Sequence, residues 1–272
     1  MIVLTGALLF LPIIQTFYYS LTTWNGITST WIGLENYRRL FADPVFWRVL
    51  ENNVFLLLSI PFALLIPLLV AFLLHQHVMG WRLFRSVYFF PTAISWVVIG
   101  MVAVRFFAGE GILNSLLQSV GLGGIRTDML TNEYSAMLAV ILTLIWSVFG
   151  TNTIIFITGM ATLDRDVYEA ARVDGAGPIA IFRFITIPLL MRFIQFAFIL
   201  TLITSFTALF SLIFVMTSGG PGYGTTTLEF LVYQKAFKQG VFGYAAAMGV
   251  VLAVIIFAIS IVQQRLLRSR VD

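Results

Sequence analysis

The chain has 272 residues, 60% of them hydrophobic and 10% charged, with a mean hydropathy of +0.97 and a formal charge of +4. Soluble domains carry about 25% charged residues, so these values exclude an ordinary globular enzyme and make lipid the expected solvent. The chain has no cysteine, which removes disulfides and thiolate metal sites from consideration.

A bilayer core of roughly 30 Å takes about 20 apolar helical residues to cross, because lipid gives the backbone no hydrogen-bond partners. Stretches of that kind lie at about 2–21, 53–74, 88–107, 137–159, 193–216 and 244–262. They predict an all-α integral membrane protein with six spans in a single domain, 1–272. The first stretch has no basic n-region and no small-residue cleavage site, so it reads as a retained span rather than a signal peptide. Its missing basic flank makes an absent short cytoplasmic leader the expectation.

After the first span, Trp24, Trp31 and Trp47 fall where amphipathic indoles settle at a membrane interface. Asp43-Pro44 ahead of Val45, Phe46, Val49 and Leu50 predicts a short capped helix. His75 and His77 end the second span and read as an interfacial polar cap, since two histidines without carboxylates make a poor metal site. Arg105 is the one full charge inside a span. Its place near the outer end favours snorkelling or pairing with Glu110. After the third span, 111–120 predicts a second short surface helix, closed by Gly121 and Gly123-Gly124.

Orientation follows from the basic residues. Nine lie on one side: Arg82, Arg85, Arg165, Arg172, Arg183, Arg192, Arg265, Arg268 and Arg270. Six lie on the other: Arg38, Arg39, Arg48, Arg126, Lys235 and Lys238. This places the 161–192 loop and both termini in the cytoplasm and makes the net positive charge a matter of topology, with no nucleic-acid partner implied.

The 161–192 loop is patterned beyond what a connector needs. Asp164 is placed to cap a helix over 166–173, Gly175 to stop it in the left-handed conformation, and Gly177-Pro178 to start another. Tyr168, Ala170 and Ala171 offer a surface for close approach, and Glu169, Arg172 and Asp174 offer charges to a partner. Connections between bundled helices usually run about 2 to 8 residues, so a docking element is the favoured reading over a plain solvated link.

Polar side chains inside spans carry a cost in lipid and normally face a bundle interior or a water-filled path. The fourth span holds Trp146, Ser147, Thr151, Asn152 and Thr153. In the fifth, Thr201, Thr204, Ser205 and Ala208 recur on one helical face, opposite Phe206 and Phe210. Hydroxyls also join transmembrane helices at about 0.6 kcal/mol per contact, so any single one is read as packing and the cluster as a solute path.

The run EAARVDGAGPIAIFRFITIPLL, from Glu169 to Leu190, resembles the EAA loop of permease subunits in binding-protein-dependent ATP-binding-cassette importers. Thr217 to Pro221 with Thr225 to Thr227, Tyr233, Ala236-Phe237 and 243–247 resembles the loop before the last span in carbohydrate permeases of the maltose and glycerol-phosphate type. The segment Ile32 to Tyr37, with Phe41 and Asp43-Pro44, is a third likeness.

What the resemblance implies is a type I importer in the cytoplasmic membrane of a bacterium or archaeon. Such a machine pairs this permease with a second one as a heterodimer, two cytosolic ATPase subunits and an extracytoplasmic substrate-binding protein. The coupling residues would be Glu169, Ala170, Ala171, Asp174 and Gly175, with Gly219, Gly220 and Pro221 in the outer loop. Thr151, Thr201, Ser205 and Ala208 match sugar-contacting positions of the maltose permease, and Asn152 and Thr204 join them on the polar faces.

The chain binds no cofactor on this reading; ATP and Mg belong to the partner ATPase. A phosphate-binding P-loop needs a lysine at the nucleotide, and the only lysines, Lys235 and Lys238, are assigned outside. The cargo is a sugar or sugar-like solute, the alternatives being a phosphorylated polyol or other non-sugar solute. An ion-coupled secondary transporter would need intramembrane carboxylates or broken-helix sites, and no acidic residue falls mid-span. An intramembrane serine protease would need a basic partner at depth, where neither histidine lies.

Overall fold

The structure, a computed structural model, describes residues 2–75, 90–125 and 127–268. His77, Arg82, Arg85, Arg126, Arg270 and the first two residues of the predicted third span lie outside them, as do the side chains of His75 and Arg268.

Helices form at all six predicted positions. The first is α1 (Ile2–Ser20). A short α2 (Glu35–Ala42) precedes α3 (Pro44–His75). Asp43 caps α3 as expected, its Oδ1 accepting from the Val45 N–H at 2.9 Å. The helix predicted at 43–50 is not separate, however: it continues unbroken as the first turns of a 32-residue α3. Nothing in that sequence interrupts the i→i−4 ladder until Pro61, and transmembrane helices tolerate proline.

The third position is shorter than predicted. A 3-10 turn at Phe90–Ala93 precedes α4 (Trp96–Phe107), and Ser95 caps α4 by accepting from the Val98 N–H at 3.4 Å. Pro91 sits in that turn, without an N–H to give a helix. The surface helix α5 (Ile112–Ser119) follows as expected, then α6 (Glu133–Met160) with Asn132 as its N-cap.

The loop carries α7 (Arg165–Val173) and α8 (Pro178–Ile181), a π turn at Phe182–Thr186, and α9 (Ile187–Leu189). The fifth position is split into α10 (Met191–Thr207) and α11 (Leu209–Met216). After α12 (Leu228–Tyr233) and a π turn at Gln234–Lys238 comes α13 (Phe242–Arg268). Among the described residues, Pro44–Leu74, Trp96–Ser119, Glu133–Met160 and Phe242–Gln263 are long and apolar enough to cross a membrane. The segments Pro178–Leu189 and Met191–Thr207, bent by 73°, add a fifth if taken as one span, and α1 contributes the shorter apolar stretch Leu8–Ser20.

The helices pack as α3 on α6, α1 on α13 and α4 on α11. Their core divides into three apolar clusters. One joins Ala63, Ile99, Val140, Leu144, Leu212 and Ile213 from α3, α4, α6 and α11. A second joins the far ends of α3 and α6 to the loop and α10, through Phe72, Phe156, Met160, Ala171, Ile181 and Leu190. The third seats α12 and α13 on α2 and the start of α3, through Leu40, Phe46, Val49, Leu228, Leu231 and Met248. The 161–192 loop and the 217–241 loop therefore close opposite ends of the bundle.

Candidate functional site

Midway along the bundle lies a cavity of about 210 Å³ between α4, α6 and α10. Thr151, Asn152, Thr201 and Thr204 line it, as does Ser147. Pro91, Thr92 and Trp96 close another side. The lining among the described residues holds hydroxyls, an amide and an indole, with no charged side chain. Thr204 and Ser147 donate to the Leu200 and Thr143 carbonyls, at 2.8 and 2.7 Å. Such back-bonding satisfies the donor in a low-dielectric helix and leaves the hydroxyl lone pairs to accept from a solute.

Two of the predicted path residues lie elsewhere. Ser205 is buried and spends its hydroxyl on the Thr201 carbonyl at 2.8 Å. Ala208 is the junction between α10 and α11. Phe206 packs in the cluster under the loop, and Phe210 stacks among Phe214, Phe230 and Tyr233. Trp96 is the aromatic side chain that lines the cavity. Sequence reasoning missed it and Thr92 because both fall in a run that reads as continuous helix; Pro91 was the signal that the chain turns there.

Asn152 does more than line the cavity. Pro67 has no N–H, so the Ala63 carbonyl one turn before it in α3 has no helical donor. The Asn152 amide, wholly buried, donates to that carbonyl at 2.9 Å and lies 3.1 Å from the Thr201 hydroxyl. One side chain on α6 thereby ties α3 to α10 beside the cavity.

At the loop end, Asp164 caps α7 by accepting from the Asp166 N–H at 3.0 Å. Gly175 has φ of 79° and stops the helix, a backbone region open to glycine at little cost. The Ala176 N–H then returns to the Ala171 carbonyl at 2.9 Å. The structure turns Ala171 and Tyr168 inward, contrary to the expectation that both lie on the docking surface. Ala171 belongs to the apolar cluster, and the Tyr168 hydroxyl meets that of Thr186 at 3.3 Å. The period of α7 explains this, since residues three apart share a face. Glu169, Ala170, Arg172, Val173 and Asp174 form the exposed one.

At the other end, Gly219, Gly220 and Pro221 belong to a loop pinned to the bundle. Gly219 is buried with φ of 87°, and a Cβ there would meet Thr226 Oγ1 at 2.6 Å. The Asn52 amide donates to the Tyr223 and Thr226 carbonyls at 2.7 and 2.8 Å, and Asn53 Oδ1 accepts from the Leu228 N–H at 2.9 Å. Below them Arg48 joins the starts of α3 and α6 through Glu133, at 2.8 Å. Asn52 and Asn53 had drawn no attention in the sequence, since they sit at the lip of an apolar run. Arg105 is exposed in the last turn of α4, where a cation complements the helix dipole.

The bundle thus carries a polar cavity at its waist, a structured loop at one end and a pinned loop at the other. The chain belongs to the family described as "Binding-protein-dependent transport system inner membrane component", which it matches over residues 41–272. It is 34% identical over 255 residues to a probable ABC transporter permease protein, PH1215, of Pyrococcus horikoshii, covering 92% of this chain and 87% of that one. It is 31% identical over 274 residues to the lactose transport system permease protein LacF of Rhizobium radiobacter, covering 99% and 92%. Among solved structures, a chain of a bacterial alginate ABC transporter, in complex with its alginate pentasaccharide-bound periplasmic protein, superposes with a TM-score of 0.85 at 22% identity, covering 100% of this chain and 92% of that one. That likeness gives the fold: a type I importer permease. The protein is a multi-pass membrane transport subunit.

Proposed function

We propose that this chain is one of two different permease subunits of an importer that brings a neutral sugar into a bacterial or archaeal cell by alternating access. The observation that carries the reading is the cavity beside Asn152, lined by Thr151, Thr201, Thr204 and Trp96 and, among the described residues, by no charged side chain. A sugar offers hydroxyl edges to such hydroxyls and amides and an apolar face to an indole. The lactose permease likeness agrees with it.

Two cytosolic ATPases bind ATP and Mg and dock against the exposed face of α7, through Glu169, Ala170 and Asp174, with Ala171 and Gly175 fixing its fold. An extracytoplasmic binding protein delivers the cargo to the opposite end, where the 219–221 loop lies. Both termini face the cytoplasm in this arrangement.

The test is ATP hydrolysis by the reconstituted complex in vesicles, with its matching binding protein and a panel of solutes. Neutral sugars are expected to stimulate it, and Thr151→Asp, which sets a carboxylate on the cavity wall at a half-buried position, to weaken stimulation. Stimulation by phosphorylated polyols, peptides or phosphate in place of neutral sugars would overturn the assignment.

A further inference from the structure

Glu229 stands in the first turn of α12, beside the pinned loop, and the transport reading gives it no task. Both its carboxyl oxygens are shut off from solvent and neither makes a well-aligned hydrogen bond among the described residues; the Thr227 hydroxyl next to it is in the same state. Its helix neighbours Leu228, Phe230 and Leu231 are buried in the apolar clusters.

Among the described residues, the elements packed on α12 leave it no counter-ion; on α2, Arg38 and Arg39 are exposed, and Arg39 pairs with Glu35 at 3.2 Å. On α3, Arg48 is engaged with Glu51 and Glu133. On α13, the Tyr244 hydroxyl donates to Asp43. On the π turn that continues α12, Lys235 lies over the Tyr244 ring and Lys238 over the Tyr233 ring. The sequence of α11 contains no ionisable residue. Burial accordingly pushes the Glu229 carboxyl up to about 7, outweighing its own backbone N–H, Thr227 and Asn53, which lie near enough to favour the charged form.

We propose that Glu229 is a proton-binding site that latches the outer corner of the bundle. With a proton on the carboxyl, α12 and the loop before it stay seated on Asn52 and Asn53; without it, a buried charge that Thr227, Asn53 and one backbone N–H offset only in part drives α12 from its seat. The sign follows from linkage. The seated form holds a proton that the opened form, with an ordinary carboxyl, gives up. The latch is therefore strongest below the ordinary glutamate range of about 4.3, weakens as pH rises, and reaches its full loss above about 7.

The experiment is hydrogen exchange of the assembled importer in lipid nanodiscs, following peptides over 217–233 from pH 5 to 8.5 with intrinsic rates corrected. In the unmodified chain, protection over 228–233 is expected to fall roughly tenfold per pH unit between 5 and 7 and to level off above. Glu229→Gln is expected to keep one protection factor throughout, and peptides over 161–175 to show no such step in either protein. If the unmodified chain shows no pH step in this segment, or Glu229→Gln follows the same curve, the latch is refuted. Should Glu229→Gln fail to assemble, the presence or absence of the step in the unmodified chain decides alone.

Discussion

At the scale of single residues, the pairing of Asn152 with Pro67 ties structure to function most closely. An asparagine in a lipid-embedded helix is tolerable only when its amide is satisfied, and here the acceptor is a carbonyl that a proline on another helix has orphaned. Asn152→Leu is expected to lower stability by about 1–3 kcal/mol, the cost of stranding a buried acceptor, read by denaturant unfolding in mixed micelles. Pro67→Ala gives the Ala63 carbonyl a helical donor again, so Asn152→Leu should cost less in that background, with a coupling of at least about 0.5 kcal/mol. Strictly additive costs would show that Asn152 does not serve that carbonyl. Sequence alone marked Asn152 as a polar residue in a span and read it as path. It could not show Pro67 as the reason, because that contact joins residues on two helices through packing that no local pattern encodes.

At the scale of elements, local signals carried further where they were chemical and less far where they were only apolar. Asp43 and Asp164 each cap the helix expected to follow them, and Gly175 ends α7. Apolar length alone misjudged the third span, where Pro91 breaks the run, and could not reveal the 73° bend ahead of α10. It also gave no hint of which face of α7 turns inward, because that depends on Phe72, Phe156 and Leu190 waiting beneath it. The end of α7 offers a clean test of docking. Asn and Asp both accept the left-handed conformation at Gly175 better than other side chains, and a Cβ there meets nothing within 4 Å. The two variants thus differ in charge alone. Gly175→Asn is expected to keep sugar-stimulated ATP hydrolysis in the reconstituted complex, and Gly175→Asp to lose it by about tenfold or more through misplaced charge at the partner surface. Equal activity of the two would leave Gly175 as a helix stop with no partner nearby.

At the scale of the whole molecule, the two loops are connected through the bundle, and α3, α6 and α10 are among the helices along which a signal between them can pass. These are the three helices that Asn152 joins beside the cavity. That arrangement has meaning for transport only if the two ends face opposite sides of the membrane, and the proposed function, from the distribution of basic residues, has the α7 end in the cytoplasm. The absence of native cysteine makes this directly measurable with single reporters. Ile27, 92% exposed beside the outer loops, and Val173, 87% exposed on α7, are both free of core contacts that a substitution would break. Ile27→Cys is expected to react with a membrane-impermeant maleimide on intact cells. Val173→Cys, expressed without the ATPase so that nothing covers it, is expected to react only after permeabilisation. Labelling of Val173→Cys from outside would invert the assignment, and with it the direction in which this permease faces its energy source.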